Sequence, residues 1–127
     1  MNTTVVNSIA VGSLFLFTFI SGVLTTRAGR PLKNPHFTIH KLISLAMILF
    51  VLVSTMQVYK LQETQALIKL ITVMVTILLF LILIITGALL SFEREWPAIV
   101  LKLHQIAPTL SLLSTIFTFY LLNISNN

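Results

Sequence analysis

Long apolar runs separated by short polar interruptions give this chain its outline. Apolar residues dominate about 5–26, 35–59, 66–92 and 97–122, and between them stand only Arg27-Ala28-Gly29-Arg30-Pro31-Leu32-Lys33, residues 60–65 and Glu93-Arg94-Glu95-Trp96. A hydrocarbon core of about 30 Å is crossed by about 20 helical residues, so each run predicts a membrane-spanning helix. Punctuation agrees with that reading. Charge, glycine and proline end the first run, Asn34-Pro35 is an N-cap followed by proline at the first helical position, and Pro97 can open the fourth helix after the interfacial Trp96. Short connections make consecutive helices antiparallel neighbours.

The same pattern is written twice. Leu14-Phe15-Leu16 leading to Ser21-Gly22-Val23-Leu24 returns as Leu79-Phe80-Leu81 leading to Thr86-Gly87-Ala88-Leu89, and Ile39-His40-Lys41-Leu42 returns as Leu103-His104-Gln105-Ile106. The expected fold is all-α: an integral membrane antiparallel four-helix bundle built from two tandem two-helix repeats, about 1–60 and 66–127, within one membrane domain, 1–127. Two like-oriented halves predict a pseudo-two-fold axis along the membrane normal, with His40 and His104 facing each other across it.

Composition narrows the class. With 57% hydrophobic and 9% charged residues and a mean hydropathy of +1.02, the chain has too little polar surface for a water-soluble domain of 127 residues, and its first partner is the lipid bilayer. Residues 1–8 carry no basic residue, unlike the start of a cleavable signal peptide, so the first helix is expected to be retained. The formal charge of +5 comes from eight basic and three acidic residues. No basic run is interleaved with aromatics, which argues against nucleic acid as a partner. Arg27, Arg30, Lys33, Lys41, Arg94 and Lys102 fall on one side and only Lys60 and Lys69 on the other. Positive residues mark the cytoplasmic side, which places the basic loops inside and both termini outside. Lys69 is expected to extend its amine toward lipid headgroups.

Candidate chemistry centres on the histidines. The chain has no cysteine, which excludes disulfides, Fe–S clusters and covalent c-type haem attachment. Stepping along the helix from His40 gives His36, Ser44, Met47, Val51 and Ser54, and from His104 gives Pro108, Ser111, Thr115 and Thr118; these smaller or more polar faces should point inward, away from lipid. Gly22 shares a face with Phe15 and Thr18, and Gly87 with Phe80 and Leu83, with the phenylalanines as core fillers. Gly22 and His40 each lie about one turn from the basic loop, and Gly87 and His104 repeat the arrangement, so two imidazoles and two glycines form one layer. A flat macrocycle asks for such a layer: axial nitrogens from two helices, and helices without a Cβ where its edge approaches. One b-type haem per chain, with iron held by His40 and His104, fits it.

The chain resembles the small four-helix membrane b-type cytochromes, whose haem is held non-covalently by histidine pairs inside a helical bundle, and the similarity extends over most of its length. That resemblance implies His40 and His104 as axial ligands, Gly22 and Gly87 as the glycines that make room for the ring, and an electron-transfer protein or oxidoreductase subunit working with a quinone or a redox partner protein. Many such cytochromes carry two haems. Here the outer half has no histidine, so a second haem is not expected.

The remaining residues leave alternatives open. Arg27, Arg30, Lys33, Arg94 and Lys102 can pair with haem propionates or simply set topology. His36 is a propionate partner, an alternative ligand or an interfacial residue. Pro108 cannot donate to the carbonyl of His104 and is expected to bend the fourth helix. Three histidines with Glu93 or Glu95 could hold zinc or copper. A small proton-coupled transporter would be expected to carry an intramembrane carboxylate, yet Glu63, Glu93 and Glu95 all lie in loops. A cofactor-free scaffold or assembly subunit is the main alternative, with the histidines as interhelical hydrogen-bonding groups. Hydrolase chemistry lacks a nucleophile, base and orienting acid that can be placed together.

Overall fold

A computed structural model describes residues 3–29, 35–60, 67–92 and 94–124. Four helices account for nearly all of them: α1 (Thr3–Ala28), α2 (Pro35–Lys60), α3 (Leu67–Ser91) and α4 (Ala98–Ile124). At ~1.5 Å rise per residue, helices of this length reach about 40 Å, enough to cross the core and enter both headgroup layers. The stretches Asn7–Ala28, Pro35–Gln57, Leu67–Ser91 and Ala98–Leu122 are each long and apolar enough to span a bilayer. The protein is an all-α, multi-pass integral membrane protein.

Helix boundaries fall within a few residues of the expected ones, and each difference has a local cause. The first helix runs on to Ala28, where Gly29 takes φ 70°. That left-handed conformation carries no Cβ penalty in glycine and ends the helix. Pro97 precedes α4 instead of opening it: its carbonyl accepts from the Val100 amide at 3.0 Å, so Pro97 supplies the first acceptor of the helix. After α3, the Phe92 amide donates to the Leu89 carbonyl at 3.2 Å. Pro108 lies inside α4, which remains helical through it. Ala66, the expected first residue of the third helix, lies outside the described residues.

The chain divides into two compact units, Met1–Val53 and Ser54–Asn127, with the division inside α2 instead of in the loop that separates the sequence repeats. In the first unit, Ser21 meets His40 and Thr25 meets the His36 carbonyl. In the second, Thr86 meets His104 while Thr76 meets Ser114 and Thr118. Partner numbers fall as the first number rises, so α1 with α2 and α3 with α4 are antiparallel hairpins of matching register.

Burial follows the helical period on each element. Val11, Phe15, Thr18 and Ser21 are buried on α1; Met47, Ile48, Val51, Ser54 and Thr55 on α2; Lys69, Val73, Thr76, Phe80, Leu83 and Thr86 on α3; Ala107, Ser111, Thr115, Thr118 and Leu122 on α4. Phe15 and Phe80 are the largest wholly buried side chains, as their matching repeat positions predicted. The opposite faces expose Leu16 and Phe17, Leu42 and Leu49, Met74 and Leu78, Leu113 and Phe117. Hydroxyls inside and large apolar side chains outside reverse the soluble pattern. In lipid the outward face costs nothing, while hydroxyls find partners only among helices.

A hydroxyl hub joins the second hairpin. Thr76 Oγ1 donates to the Thr72 carbonyl at 2.9 Å, which leaves its lone pairs to accept from Ser114 Oγ at 2.7 Å and Thr118 Oγ1 at 3.0 Å. Thr115 Oγ1 donates to the Ser111 carbonyl at 2.7 Å. At the position of the first repeat that answers to Thr76 stands Val11, so this polar clasp belongs to α3 and α4.

Lys69 corrects one expectation. It does not reach outward to headgroups: with 7% of its surface exposed it lies on the buried stripe of α3. The hairpin register places it beside the last turn of α4, where helix carbonyls lack intrahelical donors and a cation is favoured.

Candidate functional site

Each histidine is positioned within its own hairpin, by the same three elements. His40 is half-buried near the start of α2, and its Nδ1 forms a 2.9 Å hydrogen bond with Ser21 Oγ of α1. The next residue of α1 is Gly22. A Cβ placed there would stand 3.2 Å from His40 Cε1, 3.6 Å from Nδ1 and 3.8 Å from Nε2. His104, also half-buried, repeats this on α4: its Nδ1 is 2.9 Å from Thr86 Oγ1, and a Cβ on Gly87 would stand 3.1 Å from Cε1, 3.8 Å from Nδ1 and 3.9 Å from Nε2. The order of atoms is the same in both, so both rings lean on the glycine by the Cε1 edge while Nδ1 is tied to the preceding hydroxyl.

The local sequence builds this because hydroxyl and glycine are adjacent. Neighbouring residues on a helix point about 100° apart, so one residue can flank the imidazole while the next lies beneath it. Glycine inside a helix costs about 0.5–1 kcal/mol relative to alanine. Here it allows the close approach of an aromatic ring: contacts of 3.1–3.2 Å to a Cβ would force the imidazole to shift. In each hairpin the nearest occupant of the room left by the glycine is therefore the imidazole of that hairpin.

The hydroxyls have further partners. Ser21 Oγ donates to the Thr18 carbonyl at 3.0 Å, and Thr86 Oγ1 donates to the Ile82 carbonyl at 2.7 Å, with the Leu83 carbonyl at 3.3 Å. Thr25 Oγ1 donates to the Ser21 carbonyl at 2.9 Å and reaches the His36 carbonyl at 3.2 Å, which pins α1 to the first turn of α2.

The other expected site residues lie apart from these two constellations. Arg27 lies in the last turn of α1 and is exposed, as are His36, Arg94 and Lys102. The Arg94 guanidinium sits 5.5 Å from the centre of the Trp96 ring, a cation–π contact suited to the headgroup layer. Arg30 and Lys33 lie outside the described residues. Among the described residues no group of three or more His, Cys, Asp or Glu stands together as a metal site would require. Ser44, one helical turn beyond His40, and Ser111, two turns beyond His104, have buried hydroxyl oxygens without a hydrogen-bond partner.

Ser21 and Thr86 are the site residues that the sequence reading did not single out. Their signal was present, since both are hydroxyl residues immediately before the repeated glycines. What was lacking was the interhelical register that sets them against Nδ1. Comparison with protein-family models, curated proteins and solved structures returns no match, so the functional reading rests on this chemistry.

Proposed function

We propose that this protein is a membrane b-type cytochrome, an electron carrier or the membrane subunit of a quinone-linked redox system, with His40 and His104 as the two axial ligands of one haem b. A single observation carries the reading: the arrangement of imidazole, hydroxyl and glycine is built twice, at matching repeat positions, with the same atoms in contact. Interhelical hydrogen bonding alone does not require that duplication. The donor chemistry fits the group, since haem iron is commonly held by imidazole nitrogen. When bound, such a haem supplies one-electron exchange at iron.

The chain's own contribution is to hold and shield. Gly22 and Gly87 let each imidazole lie close against the neighbouring helix, and the hydroxyls fix its rotation about that contact. The apolar outward faces keep the site in a low-dielectric setting. In this reading Arg27, Arg30, Lys33, Arg94 and Lys102 supply positive charge on the side of the histidine ends, for propionates or an acidic redox partner. His36, one turn nearer that side than His40, joins them as a polar group. That side is cytoplasmic by the distribution of basic residues.

The deciding experiment is an absorption spectrum of the purified protein, oxidised and then reduced, with haem quantified per chain. A reduced low-spin b-type spectrum at one haem per chain is expected. A second reading, a cofactor-free membrane scaffold, is favoured by one observation: each Nδ1 already has a hydroxyl partner inside its hairpin. It predicts a colourless protein after expression with ample haem.

A further inference from the structure

We propose that Ser21 and Thr86 are positioning residues that hold His40 and His104 as the Nδ1–H tautomer, so that Nε2 is the ring nitrogen with a lone pair to offer. The consequence for iron rests on the haem reading, but the tautomer itself does not.

A serine or threonine hydroxyl has one proton to give and two lone pairs with which to accept. A carbonyl has no proton to give, so the two contacts of Ser21 are hydrogen bonds at the same time only when its proton goes to the Thr18 carbonyl at 3.0 Å and its oxygen accepts from His40 Nδ1 at 2.9 Å. Nδ1 therefore carries hydrogen. In the second hairpin the same condition, with the proton of Thr86 on the Ile82 carbonyl at 2.7 Å, makes His104 Nδ1 at 2.9 Å the donor. A neutral imidazole with hydrogen on Nδ1 has its lone pair on Nε2.

Two features make this more than incidental packing. Ser21 and Thr86 are buried, which limits competition from water for their hydroxyls and lets the network select the tautomer. The two hairpins also reach the same result with different residues, serine on α1 and threonine on α3, sharing only the hydroxyl. Metal-bound histidines are generally oriented by such a hydrogen bond to the second nitrogen, and loss of that partner typically lowers metal affinity by 10–100-fold.

The test separates this inference from the haem reading. Haem-free protein with isotope-labelled histidine is examined in detergent micelles by long-range nitrogen–proton NMR correlations, which report the protonated nitrogen. Nδ1–H is expected for His40 and His104, with the exposed His36 as the solvent reference. Ser21→Ala should release His40 from that tautomer, and Thr86→Val should release His104. The exchanges Ser21→Thr and Thr86→Ser should preserve it, and these conservative variants guard against a folding defect. In haem titrations, Ser21→Ala and Thr86→Val should bind about 10–100-fold more weakly than the parent, and the exchanged pair should bind normally. Nε2–H in the parent, or an unchanged tautomer in both hydroxyl-free variants, overturns the inference whatever the haem content. The expected tautomers in a protein that takes up no haem support the positioning role and overturn the cytochrome reading alone.

Discussion

Cε1 of His40 lies 3.2 Å from the point where a Cβ on Gly22 would stand, closer than side chains normally approach a Cβ. The two residues are therefore a matched pair, and the second hairpin repeats the match between Gly87 and His104 at 3.1 Å. Alanine at either glycine gains about 1 kcal/mol of helix propensity but obliges the imidazole to give way from its seat, and with it the direction of Nε2. Gly22→Ala and Gly87→Ala are expected to retain helix content while losing haem, and Gly22→Leu and Gly87→Leu to lose more. Circular dichroism beside haem absorbance per chain checks this. Full haem content in all four would make the glycines simple packing residues.

On the haem proposal, His40→Ala and His104→Ala should each abolish the low-spin spectrum, because either change would remove one of the two iron ligands. The hairpin carrying the substitution also loses the partner of Ser21 or Thr86. An unchanged spectrum in either variant would end the ligand assignment.

Thr76→Val keeps the shape of the residue and removes the centre of the α3–α4 hydroxyl hub. Interhelical hydrogen bonds in membranes contribute about 0.6 kcal/mol on average and rarely more than about 1.7. Two are lost here, so destabilisation of about 1–2 kcal/mol is expected in denaturant unfolding from micelles. Val11→Ala at the equivalent place in the first hairpin should act only through lost volume, with no partner hydroxyls left behind.

Both termini should face outward, since the basic ends of the helices favour the cytoplasm. A tag fused after Asn127 should be cleaved by external protease in intact cells. Protection of that tag would invert the topology.

On the same proposal, in liposomes of uniform orientation without quinone, an impermeant reductant should reduce the bound haem from the side of the basic loops and not from the opposite side. His40 and His104 stand near one end of their helices, which leaves roughly 20 Å of the core without a candidate ligand. Sustained electron flow across the sealed membrane would reveal a second cofactor. Added salt should weaken capture of an acidic partner by the basic side.

The sequence by itself determined the number of helices, their approximate ends and the duplication. These depend on the length of apolar runs, on proline and glycine at their borders, and on repetition of local patterns, all properties of contiguous residues. It also determined which faces turn inward, because polar and small residues recur at helical spacing. The partners of individual side chains were decided only by tertiary structure. Lys69 reads as a headgroup-seeking residue until the stripe it shares with Val73 and Thr76 is seen to be buried. Ser21 and Thr86 read as ordinary hydroxyls beside a glycine. Only the register between α1 and α2, and between α3 and α4, sets each hydroxyl 2.9 Å from an imidazole that lies many residues away in the chain. That register is the sum of many packing contacts along two helices, and no short stretch of sequence contains it.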